Sequence, residues 1–176
     1  GEIHYAKEIA RIARKRGTKT IIGGGHATFM PEDCLEDIDV VIEGDGELAI
    51  IQALAGIGYS HKAKRYCMPS PTLNGFKPDW SLIGERGFSQ ELFTGQGYDK
   101  GPRAAGLITS RGCPYQCSYC RIERNEVRYR PIDEVLMEIT ELINKWNVRH
   151  FRFYDESLTL NKKRALELFK AFEPLD

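Results

Sequence analysis

One segment limits the possible architectures more than any other. Cys113-Pro114-Tyr115-Gln116-Cys117-Ser118-Tyr119-Cys120 sets three thiols at C-x3-C-x2-C spacing. It follows directly on the apolar run 104–109, Ala-Ala-Gly-Leu-Ile-Thr, which reads as a strand. Three soft donors in one loop can converge on a single centre. No fourth Cys or His stands nearby, the next histidine being His150. A structural zinc site closes with four ligands. Three thiolates with one open position suit a 4Fe-4S cluster. On the residues alone, a zinc knuckle completed from elsewhere and three unrelated buried thiols remain alternatives. The chain has five cysteines, and Cys34 and Cys67 have no partner at ligand spacing. Each reads as a small buried apolar residue or an idle thiol. An odd, clustered set argues against a secreted disulfide framework and points to a reducing, cytoplasmic compartment.

Around this loop the pattern alternates. Residues 2–16 read as a helix with Ile3, Ala6, Ile9, Ala10 and Ala13 as its apolar stripe, and Gly17 as the residue that ends it. Thr20-Ile21-Ile22 is a short strand ending in Gly23-Gly24-Gly25. A helical turn follows over 31–35. Asp39-Val40-Val41-Ile42 is a second strand, ending at Glu43-Gly44-Asp45-Gly46-Glu47, and a helix over about 47–54 comes next. Helices alternating with short apolar strands specify a parallel α/β sheet. From 56 to 103 the periodicity fades into a proline- and glycine-rich stretch with scattered aromatics, among them Phe76, Trp80 and Phe88. It reads as a connector between two domains. After the thiols, Pro131 suits the first position of a helix whose buried face is Val135, Leu136, Ile139, Leu142, Ile143 and Trp146. Residues 150–154 form a strand ending in Asp155-Glu156, and 162–172 form a helix. Two such strand–helix units leave strand edges and apolar faces uncovered, so the chain reads as a fragment of a longer protein. The expected domains are 1–57, a connector over 58–103, and 104–176.

Lys plus Arg and Asp plus Glu each number 25, so the formal charge is zero. That balance gives no support for broad electrostatic capture of nucleic acid or an anionic membrane. No apolar run approaches the ~18 residues of a spanning helix, and no signal peptide is visible at the N-terminus.

The cysteine spacing, with the aromatic Tyr119 just before the last cysteine and the lead-in Thr109-Ser110-Arg111-Gly112, resembles the radical S-adenosylmethionine (SAM) superfamily. The resemblance implies that Cys113, Cys117 and Cys120 hold three irons of a 4Fe-4S cluster, with the fourth iron chelated by SAM. One electron then breaks a C–S bond, giving methionine and a 5′-deoxyadenosyl radical. An electron donor such as flavodoxin or ferredoxin is implied. Tyr154-Asp155-Glu156-Ser157-Leu158-Thr159 resembles the strand-end motif with which the family takes the SAM ammonium, so Asp155 and Glu156 join Tyr119 as candidate SAM residues. A carboxylate there also suits that cation on its own chemistry, since parallel neighbours open on one rim.

The first half narrows the subfamily. Gly23-Gly24-Gly25-His26-Ala27-Thr28 and 39–47 resemble the later half of the cobalamin-binding domain that precedes many radical SAM domains. This implies that Gly23, Gly24, Gly25, His26, Gly44 and Gly46 lie along the cobalamin nucleotide tail. The family's cobalt-side Asp-x-His-x-x-Gly is absent from these residues, and His26 is not that histidine. The expected fold is therefore the C-terminal part of a Rossmann-like cobalamin-binding sheet, a linker, and the first βα units of a partial (β/α)6 barrel. The implied reaction is methyl transfer to an unactivated centre or a radical rearrangement, on a small-molecule substrate that these residues do not identify. Two alternatives accompany it. One is a radical SAM enzyme without cobalamin, such as a methylthiotransferase, whose further cluster cysteines Cys34 and Cys67 do not supply. The other is a non-catalytic metal-binding module. Arg111, Arg121, Arg124, Arg128 and Arg130 around the loop read as a solvated basic face.

Overall fold

The computed structural model describes residues 2–56, 64–67, 72–75, 77–83, 88, 103–120 and 126–175. It divides into two units, Gly1–Pro71 with Cys117–Glu123, and Thr72–Gln116 with Arg124–Asp176. Each is described in turn.

In the first unit α1 (Glu2–Lys15) leads into β1 (Ile21–Ile22), α2 (Gly25–Phe29), α3 (Pro31–Leu35), β2 (Val40–Glu43), α4 (Gly46–Gly56) and β3 (Lys64–Cys67). The three strands form one parallel sheet in the order β1-β2-β3. All four residues of β2 are buried, as expected for a central parallel strand covered on both faces. Val41 packs with Ala10, Ala27, Cys34 and Ile38 under α1, α2 and α3. Val40 and Ile42 pack on the other face with Ala49 and Ala53 of α4. Two expectations need correction. β3 falls where a structureless connector was expected. Its Lys-Arg-Tyr-Cys has no apolar run, because a strand at the end of the row can be polar and still fill its ladder. Ile9 is 65% exposed and leaves the expected stripe of α1, where only Ala10 is fully buried. Gly17 does end α1, at φ 72°. Arg11 and Arg14 tie α1 to Asp37, Arg11 by two 2.7 Å hydrogen bonds to the carboxylate and Arg14 by one of 2.6 Å to the carbonyl.

In the second unit β4 (Arg103–Leu107) runs parallel to β7 (Val148–Phe153), with α5 (Ile132–Trp146) between them in sequence. This is one βαβ unit. α6 (Lys162–Phe172) follows β7. Ala105 and Leu107 of β4, Val148 of β7, Val135, Ile139 and Leu142 of α5 and Leu168 of α6 share one core. The opposite strand face carries exposed His150, Arg152 and Tyr154. Pro131 is the cap residue before α5 rather than its first helical residue (φ −54°, ψ 139°), a shift of one place. Asn147 ends α5 in the left-handed region, φ 53°, and its N–H returns to the Leu142 and Ile143 carbonyls.

Much of the expected connector 58–103 lies outside the described residues, Phe76 among them. Its described part in this unit docks on α5. Trp80 and Phe88 join the core, with Phe88 5.3 Å from Trp146 between ring centroids. Gly75 N–H donates to Glu134 (2.9 Å), and Lys77 to Glu141 (2.6 Å). Among the described residues no helix is long and apolar enough to cross a membrane.

Candidate functional site

The thiol loop begins where β4 and β7 end. Leu107 pairs with Phe153, so Thr109 and Asp155 stand side by side on one rim, as a parallel pair requires. The chain leaves through β5 (Ser110–Arg111) and returns through β6 (Arg128–Tyr129), which pair antiparallel and close the loop at its neck. Cys113 and Cys120 are half-buried, and Cys117 is exposed. A turn brings Cys120 N–H to the Cys117 carbonyl at 3.1 Å. All five cysteines are thiols, none in a disulfide. By donor chemistry the trio fits an iron–sulfur cluster. Among the described residues, no three His, Cys, Asp or Glu side chains are gathered to hold a metal ion.

The candidate SAM residues take two different placements. Tyr119 is 87% exposed. Glu156 is exposed. Asp155 is half-buried and engaged: it accepts from Thr109 N–H (2.7 Å), Thr109 Oγ1 (2.6 Å) and Ser110 Oγ (2.6 Å). Arg164, in the first turn of α6, donates to the carbonyls of Thr109 (3.3 Å) and Arg130 (2.7 Å), and its guanidinium sits 4.7 Å from the Tyr129 ring centroid. Burial lowers its pKa, opposed by the charge of Asp155.

Arg130 departs from the expected solvated basic face. It is 5% exposed and ion-paired at 2.6 Å with Glu138, itself 1% exposed. Trp80 Nε1 donates to the other Glu138 oxygen at 2.8 Å, and Arg130 Nη1 donates to the Ile108 carbonyl at 3.0 Å. Arg121 and Arg124 lie outside the described residues. Glu138 and Arg164 escaped the sequence reading, Arg130 was read there only as part of a basic face, and Thr109 only as part of the lead-in to the thiols. The signal available was Glu138, a charge within the apolar stripe of α5.

In the first unit the two glycine turns share one rim, at the C-terminal ends of β1 and β2. Gly24 has φ 95° and Gly44 φ 66°. The Thr28 hydroxyl joins the turns, donating to the Gly24 carbonyl (2.9 Å) and accepting from Gly44 N–H (3.0 Å). A Cβ at Gly24, Gly25 or Gly46 would meet nothing within 4 Å, so the rim is open to a ligand lying along the backbone. That openness fits a cobalamin tail. His26 contacts Asp33 at 2.8 Å. Hydrogen bonding from Lys7, and then from His26, holds the Asp33 carboxyl below its ordinary range. Cys34 is fully buried, and burial pushes its thiol up.

Residues 107–174 match the radical SAM superfamily. Similarity to named proteins extends across most of the chain. The anaerobic magnesium-protoporphyrin IX monomethyl ester cyclase of Cereibacter sphaeroides is 27% identical over 94% of the chain and 30% of its own length. An uncharacterized methyltransferase of Pyrococcus horikoshii is 26% identical over 94% of the chain and 40% of its own length. The cytidylyl-2-hydroxyethylphosphonate methyltransferase of Streptomyces wedmorensis is 24% identical over 97% of the chain and 40% of its own length. The chain thus spans 30% to 40% of these relatives. The matched residues 107–174 include α5, β7, α6 and all three clustered cysteines.

Proposed function

We propose that this chain is the cluster-bearing part of a cobalamin-dependent radical SAM enzyme that transfers a methyl group to an unactivated centre of a small molecule. The observation that carries the reading is the C-x3-C-x2-C loop at the C-terminal end of β4, inside the stretch that matches the superfamily. Cys113, Cys117 and Cys120 would hold a 4Fe-4S cluster. That cluster, once bound and reduced, supplies the electron that cleaves SAM to methionine and a 5′-deoxyadenosyl radical. Glu156, exposed on the same rim, offers a carboxylate to the SAM ammonium, and Tyr119 offers an exposed ring beside the last thiol. The turns carrying Gly24, Gly25 and Gly46 leave backbone open for the cobalamin tail. Methyl transfer is preferred because two of the three relatives above are named methyltransferases. The cyclase name of the third supports radical ring formation as the second reading.

The test is incubation of the anaerobically reconstituted full-length protein with SAM and a reductant. The expected products are methionine and 5′-deoxyadenosine, plus S-adenosylhomocysteine when cobalamin is supplied. Deoxyadenosine without homocysteine under any cobalamin supply would favour ring formation. Neither product would refute both readings. Cys117→Ala should abolish both products, because two thiolates hold the cluster poorly.

A further inference from the structure

The neck of the thiol loop is held from outside by two side chains from different elements. The loop's own contribution is the β5–β6 pair, with Arg130 N–H to the Thr109 carbonyl at 2.9 Å. Asp155, beyond the end of β7, takes the outgoing strand by one backbone N–H and two hydroxyls, at 2.6 to 2.7 Å. Arg164, from α6, takes both strands at once, through the Thr109 and Arg130 carbonyls, and covers the Tyr129 ring. Its Nη1 also reaches Thr109 Oγ1 at 3.4 Å. That hydroxyl therefore accepts from Arg164 while it donates to Asp155. Thr109 is 0% and Ser110 2% exposed, while Asp155 and Arg164 are half-buried, so the loop side of these bonds is shielded from water.

A carboxylate offers about four acceptor sites. Three donors already converge on Asp155, and two of them are aimed at one oxygen. Little capacity is left for an ammonium. Among the described residues, adjacent Glu156 has no such engagement, and it stands exposed. A loop that must deliver three ligands to one centre gains from fixed ends, since ordering them otherwise adds to the cost of binding.

We propose that Asp155 and Arg164 form a two-sided clamp on the neck of the thiol loop, setting how firmly Cys113, Cys117 and Cys120 hold their metal, and leave the SAM ammonium to Glu156. The inference rests on the reading of those cysteines as ligands. It makes Asp155 and Arg164 positioning residues, acting on the loop and not on the nucleotide.

The experiment uses the full-length protein, loaded anaerobically with iron and sulfide. It measures two quantities: the rate of iron release to a chelator, and SAM affinity from the change SAM makes in the spectrum of the reduced cluster. Asp155→Asn and the near-isosteric Thr109→Val should release iron about 10- to 100-fold faster, the usual scale for losing a partner that orients metal ligands. Thr109→Ser keeps the hydroxyl and should stay within about twofold of the parent. On the cluster that remains, Asp155→Asn should bind SAM within about threefold of the parent, while Glu156→Gln should weaken SAM about tenfold and leave iron release unchanged. Should Asp155→Asn fail to fold, the contrast between Thr109→Val and Thr109→Ser decides alone. Parent-like iron release in Thr109→Val overturns the clamp. So does an Asp155→Asn protein that loses SAM affinity but not iron. If the parent takes up zinc and no iron, the functional reading fails, and the clamp is judged by the same ratios of zinc release. A parent that holds neither metal overturns both.

Discussion

Removing the Glu138 carboxylate should destabilise the second unit strongly. Glu138 and Arg130 are 1% and 6% exposed at their side chains and 2.6 Å apart. Deleting one partner of a buried pair strands the other charge, at a cost of about 3–5 kcal/mol. Among the described residues, the Arg130 side chain would keep only its hydrogen bond to the Ile108 carbonyl. Glu138→Ala also strands Trp80 Nε1, adding about 1–3 kcal/mol. Glu138→Gln preserves an acceptor for that indole, so it isolates the charge and should cost about 3 kcal/mol. Typical domain stability is about 5–15 kcal/mol, so either loss is a large share. Replacing both residues by methionine should recover most of it, since apolar substitutes of similar volume often match a buried pair to within about 1 kcal/mol or exceed it. Urea unfolding followed by tryptophan fluorescence suits the case, because the chain's two tryptophans, Trp80 and Trp146, both pack in this unit. A Glu138→Gln cost below about 1 kcal/mol, or strict additivity in the double variant, would refute the reasoning.

Acid should loosen the first unit. Asp37 and Asp33 are held below their ordinary range, first by hydrogen bonds from Arg11 and Lys7 respectively, so their contribution is present above the unfolded carboxylate value and lost as pH falls through the folded one. Amide exchange in α1 should accelerate below about pH 4 in the parent and depend less on pH in Asp37→Asn; identical pH profiles would contradict the assignment. Gly24→Ala should cost about 1–3 kcal/mol from backbone strain alone, since φ is 95° and no atom stands within 4 Å of the new Cβ. A melting curve equal to the parent's would show that the turn adapts. In the full-length protein the same variant should weaken cobalamin retention if the nucleotide tail lies along that turn.

The parts of the fold with strong periodicity were legible. The apolar runs at 21–22, 40–42 and 104–107 became parallel strands, and the stripe from Val135 to Trp146 became the buried face of α5. β3 was not legible because an end strand needs no apolar run. α2 was not, because Gly25 and His26 are poor helix signals and only the close packing of Ala27 against Cys34 and Val41 supports it. The thiol spacing and the shared rim of β4 and β7 could be read in advance, since both follow from chain connectivity. Side-chain engagement could not. Asp155 and Glu156 are adjacent carboxylates with equivalent sequence signals, and only the register of β4 against β7 turns one toward Thr109 and leaves the other exposed. In sequence Arg130 is one more arginine around the loop, and only Glu138, on the following helix, draws it into the core.

The central claim is that Cys113, Cys117 and Cys120 hold an iron–sulfur cluster that SAM approaches directly. Electron paramagnetic resonance of the reduced, anaerobically reconstituted full-length protein, with and without SAM, tests it most directly. The account predicts about four irons per chain, the number in such a cluster, and a cluster signal that shifts when SAM is added. A protein that returns zinc in place of iron, or an iron signal indifferent to saturating SAM, would contradict it.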